Sequence, residues 1–235
     1  MQWLLEKGIS HRGLYTKDIC ENSMSAFSES IKQGFAIELD VQMTKDKQLI
    51  VFHDENSCRL TNKSFDVVSS TYDDLQELTL LNTQDTIPLL QDVLALVAGK
   101  VPLLIEIKTD NFTAELESKV ASLLENYQGE VAVCSFNYLS VKWFSLHHPH
   151  ILRGLNFGDI ETFSFKDFLR FLYYFDRSEP NFVSLDYALL ESIIVKYCRF
   201  FKIPMLCWTI DSEEKKEKAL KYVQNIIFEQ MNGEW

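Results

Sequence analysis

Glu38 and Asp40 stand two residues apart in the apolar run A-I-E-L-D-V at positions 36–41. In a strand that spacing sends both carboxylates to one side, while Ile37, Leu39 and Val41 take the other. A second apolar run, positions 49–52, ends in His53-Asp54. The link between the runs is shorter than the dozen or so residues a parallel crossover needs, so the second run is expected to fold back antiparallel. A two-residue turn at Asp46-Lys47 would then set His53 roughly opposite Asp40. Two like charges in an apolar strand are costly unless something compensates them. A divalent cation is the simplest compensator, and an all-oxygen donor set suits Mg2+ or Ca2+. The competing reading, a solvent-exposed hairpin with ordinary salt bridges, sits poorly with such apolar flanks.

The same device recurs downstream. In L-L-I-E-I-K, positions 103–108, Glu106 and Lys108 share one side and Ile105 and Ile107 the other. Further strand patterns begin near residues 8, 131, 151, 182, 205 and 225. Helical patterns separate them at 23–33, 73–78, 89–97, 113–127, 139–146, 165–175, 190–201 and from 211 or 212 to 223. Asn22 and Ser164 read as N-caps, and Gly34 and Gly99 as C-terminal stops. Strand–helix alternation over this length predicts the α/β class with a parallel sheet. Eight such units predict a closed (β/α)8 barrel with a β-hairpin after its second strand, one domain spanning residues 1–235. An open doubly wound sheet is the competitor, but the eight glycines form no G-x-G-x-x-G and no Walker-type run.

In such a barrel the chemistry gathers at the C-terminal ends of the strands. Those ends carry His11 and Arg12, Glu38 and Asp40, Glu106 and Lys108, Ser135 and Phe136, and Trp208, with His53 returned by the hairpin. Three carboxylates suit a hard divalent cation. Arg12 and Lys108 supply positive charge for an anion. Two histidines can serve as general acid and base near neutral pH. Phe136 and Trp208 are placed to contact substrate. Together these parts describe phosphodiester cleavage.

Composition narrows the partners. The chain has 235 residues, 46% hydrophobic and 24% charged, with a net charge of −11, which argues against general nucleic-acid binding. Five cysteines form no C-x-x-C pair, so free thiols are expected. No signal-type start and no run long enough to span a membrane is present, so a cytoplasmic location is expected. His147, His148 and His150 precede a strand and are expected on the face away from the site. Within 165–175, Phe165, Phe168, Leu172 and Phe175 read as the barrel-facing stripe. Phe171, Tyr173 and Tyr174 exceed what one face needs; core and local packing is their expected role, with a homodimer contact or a lipid-facing patch as the alternatives. Glu21 reads as a helix-start carboxylate, with an approach to the metal as the alternative.

These residues resemble the glycerophosphodiester phosphodiesterase family. The resemblance rests on H-R-G at His11, E-N-S at Glu21, I-E-L-D-V with T-K-D, H-D at His53, R-L-T at Arg59, I-P-L-L-Q-D-V-L at Ile87, I-E-I-K at Ile105, S-F at Ser135 and W-T-I at Trp208. It spans residues 9–209 in the family's order and implies a TIM barrel that hydrolyses glycerophosphodiesters to glycerol 3-phosphate and an alcohol. It further implies His11 and His53 as the acid/base pair, Glu38, Asp40 and Glu106 as ligands of Mg2+ or Ca2+, and Arg12 and Lys108 on the phosphate. In family mechanisms the glycerol 2-hydroxyl can attack first to give a cyclic phosphate. Two departures are visible: Cys20 stands where the family often has proline, and the C-terminal threonine-aspartate pattern is replaced by N-I-I-F-E-Q-M, with Glu229 the nearest acid. The aromatic surplus leaves a lysophospholipase D-like substrate open, and a non-catalytic phosphoester-binding barrel is the reading from another class.

Overall fold

The computed structural model describes residues 1–81, 83–109 and 111–229. Gln230 and Met231, the end of the N-I-I-F-E-Q-M segment, lie outside them. Nine strands are present: β1 Ile9–Ser10, β2 Ala36–Met43, β3 Leu49–Val51, β4 Leu103–Ile107, β5 Val131–Ser135, β6 Leu152–Phe157, β7 Phe182–Asp186, β8 Met205–Ile210 and β9 Asn225–Phe228. All neighbours pair in parallel except β3, which runs antiparallel on β2, and β1 joins both β2 and β9 to close the ring. This is an eight-stranded parallel barrel, the (β/α)8 architecture expected from the alternation, with a hairpin arm after the second strand.

The helices are α1 Gln2–Glu6, α2 Met24–Gln33, α3 Cys58–Thr61, α4 Tyr72–Leu75, α5 Leu90–Val97, α6 Glu115–Leu124, α7 Tyr138–His147, α8 Phe165–Ser178, α9 Ile193–Phe200 and α10 Glu213–Ala219. Local chemistry sets their ends. Ser23 Oγ accepts from the Ala26 N–H to start α2, and Gly34 ends it at φ 76. Ser164 and Asp167 form a capping box on α8. Asn22 is not the α2 cap; its side chain points into the barrel instead.

The barrel interior is filled from below by Ala36, Leu104, Ala132, Phe182, Leu206 and Ile227, with Trp3 and Leu4 of α1 packed beneath. The sequence pattern had not marked α1. Asn225 Nδ2 pins it by donating to the carbonyls of Leu4 and Lys7, at 2.9 and 2.6 Å. Apolar layers between the sheet and the outer helices complete the core. Residues 50–89 wrap a small core of their own beside the barrel mouth, around Ile50, Phe52, Leu60, Val67, Leu75 and Ile87.

Two sequence expectations change. The hairpin pairs Val41 with Val51 and Met43 with Leu49, and the Thr44 N–H donates to the Gln48 carbonyl at 3.0 Å, so its loop has three residues, Lys45, Asp46 and Lys47. Lys47 takes the left-handed conformation at φ 67 that this loop length requires. Phe52, not His53, therefore faces Asp40, its N–H donating to the Asp40 carbonyl at 3.0 Å. On α8 the buried residue is Phe171, fully enclosed, whereas Phe165 is 67% exposed. Phe165 lies in the first turn, beyond the reach of the barrel wall.

Candidate active site

Strand β2 delivers Glu38 and Asp40 to the barrel interior, both almost fully buried. Strand β4 sets Glu106 in register with Asp40. Oxygens of the three carboxylates lie within 4.8 Å of one another. Lys108, one residue past β4, bridges two of them, with Nζ 3.4 Å from Asp40 and 2.9 Å from Glu106. Arg12 Nε lies 3.2 Å from Asp40 Oδ2, and Asn22 Nδ2 donates to the same oxygen at 2.8 Å. The Arg12 backbone N–H donates to Glu38 at 2.9 Å. Arg12 holds φ 56 and Gly13 φ 80. A side chain at Gly13 would press to 2.9 Å on Ala26 of α2, so the H-R-G turn needs its glycine for both dihedral and space.

Positive charge is unevenly shared. Burial alone would raise Asp40, but Lys108 and Arg12 outweigh it and hold this carboxyl below its usual range. Glu38 is pushed up by burial and by Asp40, and Glu106 is raised chiefly by burial despite Lys108. Three buried carboxylates face two cations, and the deficit falls on Glu38 and Glu106. An all-oxygen donor set with uncompensated negative charge fits a hard divalent cation. The residues present therefore suit such an ion.

Each predicted histidine has a carboxylate on Nδ1. His53 Nδ1 lies 2.7 Å from Asp54 Oδ1, the next residue in the chain. His11 Nδ1 lies 3.1 Å from Glu229 Oε2, and the Tyr15 hydroxyl donates to the same oxygen. Glu229 thus closes the end of β9, where the sequence departs from the family. Desolvation lowers the His11 pKa, but the Glu229 hydrogen bond and the Glu38 charge outweigh it and the net shift is upward. His53 is lowered, chiefly by burial. The two carboxylates orient the rings so that both Nε2 atoms point away from them, that of His11 lying 4.0 Å from Glu38 Oε2.

Behind these pairs sits Arg59 on α3. Its guanidinium grips Asp54 through Nε at 2.6 Å and Nη2 at 3.0 Å, and Glu21 through Nη1 at 3.0 Å and Nη2 at 2.8 Å. Glu21 also accepts from Arg12 Nη1 at 2.6 Å. Glu21 is therefore not merely a helix-start carboxylate; it and Arg59 tie the His53 arm to the Arg12 turn. The signal available in the sequence was the R-L-T segment, whose arginine has no role until the fold is closed.

The opposite wall is neutral. Phe136 and Trp208 meet edge to face, ring centroids 5.6 Å apart. Ser135 Oγ donates to the Ile107 carbonyl at 2.7 Å and so braces β4 against β5. Asn156 Nδ2 donates to Glu106 Oε2 at 3.0 Å across the interior. Asn156 Oδ1, Ser184 Oγ and Trp208 Nε1 are buried without a hydrogen-bond partner. They stand on the consecutive strands β6, β7 and β8. Sequence reasoning passed over Asn156 and Ser184, although their alternation with Phe182 and Gly154 places them on the inner face. From His53, Glu106, Lys108 and Phe136 a groove of about 930 Å³ runs outward between the hairpin tip and the loop after β4. His147, His148 and His150 lie at the other end of the barrel, before β6, with His147 and His148 stacked on Trp143 and His150 edge-on to His148. All five cysteines are free, Cys58 exposed and the others buried. No helix among the described residues is long and apolar enough to cross a membrane.

The Glycerophosphoryl diester phosphodiesterase family profile matches residues 11–157. A glycerophosphodiester phosphodiesterase of Caldanaerobacter subterraneus subsp. tengcongensis is 30% identical over 226 residues, covering 91% of this chain and 89% of that one. Human lysophospholipase D GDPD1 is 34% identical over 142 residues, 55% of this chain and 44% of that protein. Among solved structures, an Oleispira antarctica phosphodiesterase in complex with the product sn-glycerol-3-phosphate superposes with a TM-score of 0.83 at 20% identity, over 97% of this chain and 94% of that one. With a matched profile over more than half its length and near-complete coverage by a named relative, this chain is a phosphodiesterase that belongs to the glycerophosphoryl diester phosphodiesterase family.

Proposed function

We propose that the enzyme hydrolyses glycerophosphodiesters to glycerol 3-phosphate and an alcohol, dependent on a divalent cation, Mg2+ or Ca2+, held by Glu38, Asp40 and Glu106. The observation that carries this reading is the pairing of two carboxylate-backed histidines with a buried three-carboxylate cluster and two cations in one barrel mouth. The product bound in the Oleispira antarctica relative supports the glycerol 3-phosphate side of the reaction.

When bound, the cation supplies Lewis-acid polarisation of the phosphoryl oxygens. Arg12 and Lys108 orient the phosphodiester and offset the charge that builds on its oxygens. The Nε2 of one histidine takes the proton from the attacking oxygen as the new P–O bond forms. The Nε2 of the other gives a proton to the alcohol oxygen as the old P–O bond breaks. Overall one water is consumed and both histidines return to their starting state. Asp54 and Glu229 hold the two rings with Nδ1 protonated and turned away from the phosphorus. Phe136 and Trp208 form an apolar side wall for the glycerol carbons, and the unpartnered atoms of Asn156, Ser184 and Trp208 offer hydrogen bonds to its hydroxyls.

A second reading keeps the chemistry and enlarges the substrate to lysophospholipids. The length and openness of the groove beyond His53 favour it, as does the likeness to the human lysophospholipase D. A panel of glycerophosphocholine, glycerophosphoethanolamine and lysophosphatidylcholine, run with each metal and with chelator, tests both. Glycerol 3-phosphate release from the soluble diesters, abolished by chelator and restored by Mg2+ or Ca2+, is expected. Faster turnover of lysophosphatidylcholine would move the assignment to the second reading. Tight diester binding without product would leave only a binding barrel.

A further inference from the structure

The outer surface of α8 and α9 combines exposed apolar side chains with a local excess of cations, on a chain that is acidic as a whole. On α8, Phe165, Leu169 and Tyr173 are exposed at i, i+4 and i+8, one stripe along the helix. On α9 and its C-terminal extension, Ile193, Phe200 and Phe201 are exposed, Phe200 at 80%. The apolar groups are contiguous rather than scattered. Ring contacts run from Phe165 to Phe168 at 6.1 Å, to Tyr197 at 6.1 Å, to Phe201 at 4.7 Å and to Phe200 at 5.0 Å.

The charged residues exposed between these rings are almost all of one sign. Lys166, Arg170 and Arg177 on α8 and Lys196, Arg199 and Lys202 on and after α9 are exposed. The two helices carry two acids, exposed Asp176 and half-buried Asp167, the latter paired with Arg170 at 3.0 Å. Glu179 and Glu191 at the edges are paired with Lys142 of α7 and Lys218 of α10. Lys166, Lys196 and Lys202 enter no ion pair among the described residues. Arg177 lies over the Tyr173 ring at 5.6 Å, and Arg199 donates to the Lys221 carbonyl. Six cations to two acids is the reverse of the whole chain, which has 23 basic and 34 acidic residues. Exposed aromatic and aliphatic side chains interleaved with surplus cations are the elements of an interfacial membrane anchor. The rings enter the headgroup boundary, and Lys and Arg extend to the lipid phosphates.

We propose that the α8–α9 face docks this enzyme on the surface of an anionic phospholipid membrane. Charge decides against a second copy of the chain as the occupant. A two-fold contact presents the same patch from both sides, so six cations would meet six cations with four acids between them. An anionic bilayer complements every one of them. Both helices follow barrel strands at the catalytic end, so Phe165 and Ile193 bring the docked face up to the rim of the mouth.

The test is co-sedimentation of the full chain with vesicles of phosphatidylcholine alone and of phosphatidylcholine with phosphatidylglycerol, at low and high salt. The wild type is expected to partition at least about 10-fold more strongly onto the anionic vesicles, and high salt should release it. Lys196→Glu/Arg199→Glu should weaken that binding by about 600-fold, at roughly 5-fold per charge lost and again per charge reversed. Phe200→Ala/Phe201→Ala should weaken it by about 10-fold. These residues are remote from the site, so unchanged turnover of a soluble glycerophosphodiester certifies that each variant is folded. No partition of the wild type onto anionic vesicles at low salt overturns the proposal, as does equal binding by both variants. A wild-type dimer that Phe200→Glu converts to monomer, without vesicle binding, would reassign the face to contact between copies. Retention of a single-stranded oligonucleotide in place of vesicles would reassign it to nucleic acid.

Discussion

The two arcs of the barrel mouth are built on opposite electrostatic plans. Strands β1, β2 and β4, with the hairpin arm, present charge: His11, Arg12, Glu38, Asp40, His53, Glu106 and Lys108, tied together by Glu21, Asp54, Arg59 and Glu229. Nearly every polar atom there has a partner within hydrogen-bond or ion-pair distance. Strands β6, β7 and β8 present neutral groups, and three of their buried polar atoms have none. A satisfied charged network is rigid and specifies one arrangement. An unsatisfied buried polar atom is a standing cost that a ligand can relieve. The proposed function assigns the first arc to transferring protons and stabilising charge, and the second to recognising a neutral polyol.

The largest effect should come from breaking the first arc at its moving parts. His11→Ala and His53→Ala should each lower kcat by about 10²- to 10⁴-fold on glycerophosphocholine, with KM changed little. Product assay under saturating substrate checks this. Unchanged turnover in both would remove proton transfer from these histidines and dissolve the distinction between the arcs.

That first arc was legible because it is expensive. Glu38, Asp40 and Glu106 are carboxylates in otherwise apolar strands, and such residues persist only with a purpose. The His53–Asp54 pair could be read as well, since its members are adjacent. The His11–Glu229 pair could not. Its members lie 218 positions apart, and only closure of β9 onto β1 brings them together. Arg59 suffered the same fate, because its two acidic partners come from different segments. The neutral arc was illegible for another reason: an asparagine or a serine in a strand is unremarkable until register shows which side it faces. The hairpin loop misled because no glycine marks it, Lys47 taking the left-handed position instead. On α8 the expected stripe holds at Phe168, Leu172 and Phe175, which pack on the core, but Phe165 in the first turn is exposed and Phe171 is buried in addition.

Removing a carboxylate behind a ring should cost less than removing the ring. Asp54→Asn and Glu229→Gln should each lower kcat by about 10- to 10²-fold, the low end of acid–base effects, because Nε2 stays in place but its orientation loosens. These variants also separate a structural from a positioning role through pH. Glu229 is held down to about 2, chiefly by the His11 hydrogen bond and then by Tyr15, against the opposing effect of burial. A depressed carboxyl contributes stability that is present above its unfolded value near 4.3 and lost as pH falls through the folded value. Wild-type stability attributable to Glu229, about 2 kcal/mol, should therefore fade between roughly pH 5 and pH 2. In Glu229→Gln that acid-side slope should flatten in urea titrations at stepped pH. A slope identical to wild type would mean that the His11 pair contributes no stability, and its role would then be orientation alone.

The smallest and most discriminating effect lies in the neutral arc. Ser184 is fully buried, and its hydroxyl has no partner. If that hydroxyl were structural, Ser184→Ala would destabilise. Because it is unsatisfied, deleting it removes a desolvation cost, and Tm should stay level or rise by a few degrees. The same change should raise KM for a glycerophosphodiester by about 5-fold, the equivalent of one hydrogen bond of about 1 kcal/mol, with kcat nearly unchanged. Asn156→Leu should behave differently, since Asn156 also donates to Glu106 at 3.0 Å. It should raise KM and also lower kcat, by disturbing a carboxylate of the charged arc. A split of this kind, KM alone at β7 but KM and kcat together at β6, would locate the boundary between the two arcs at Asn156. Equal losses of kcat at both positions would show that the neutral wall is part of the chemistry, and that the two arcs form one site without a division of labour.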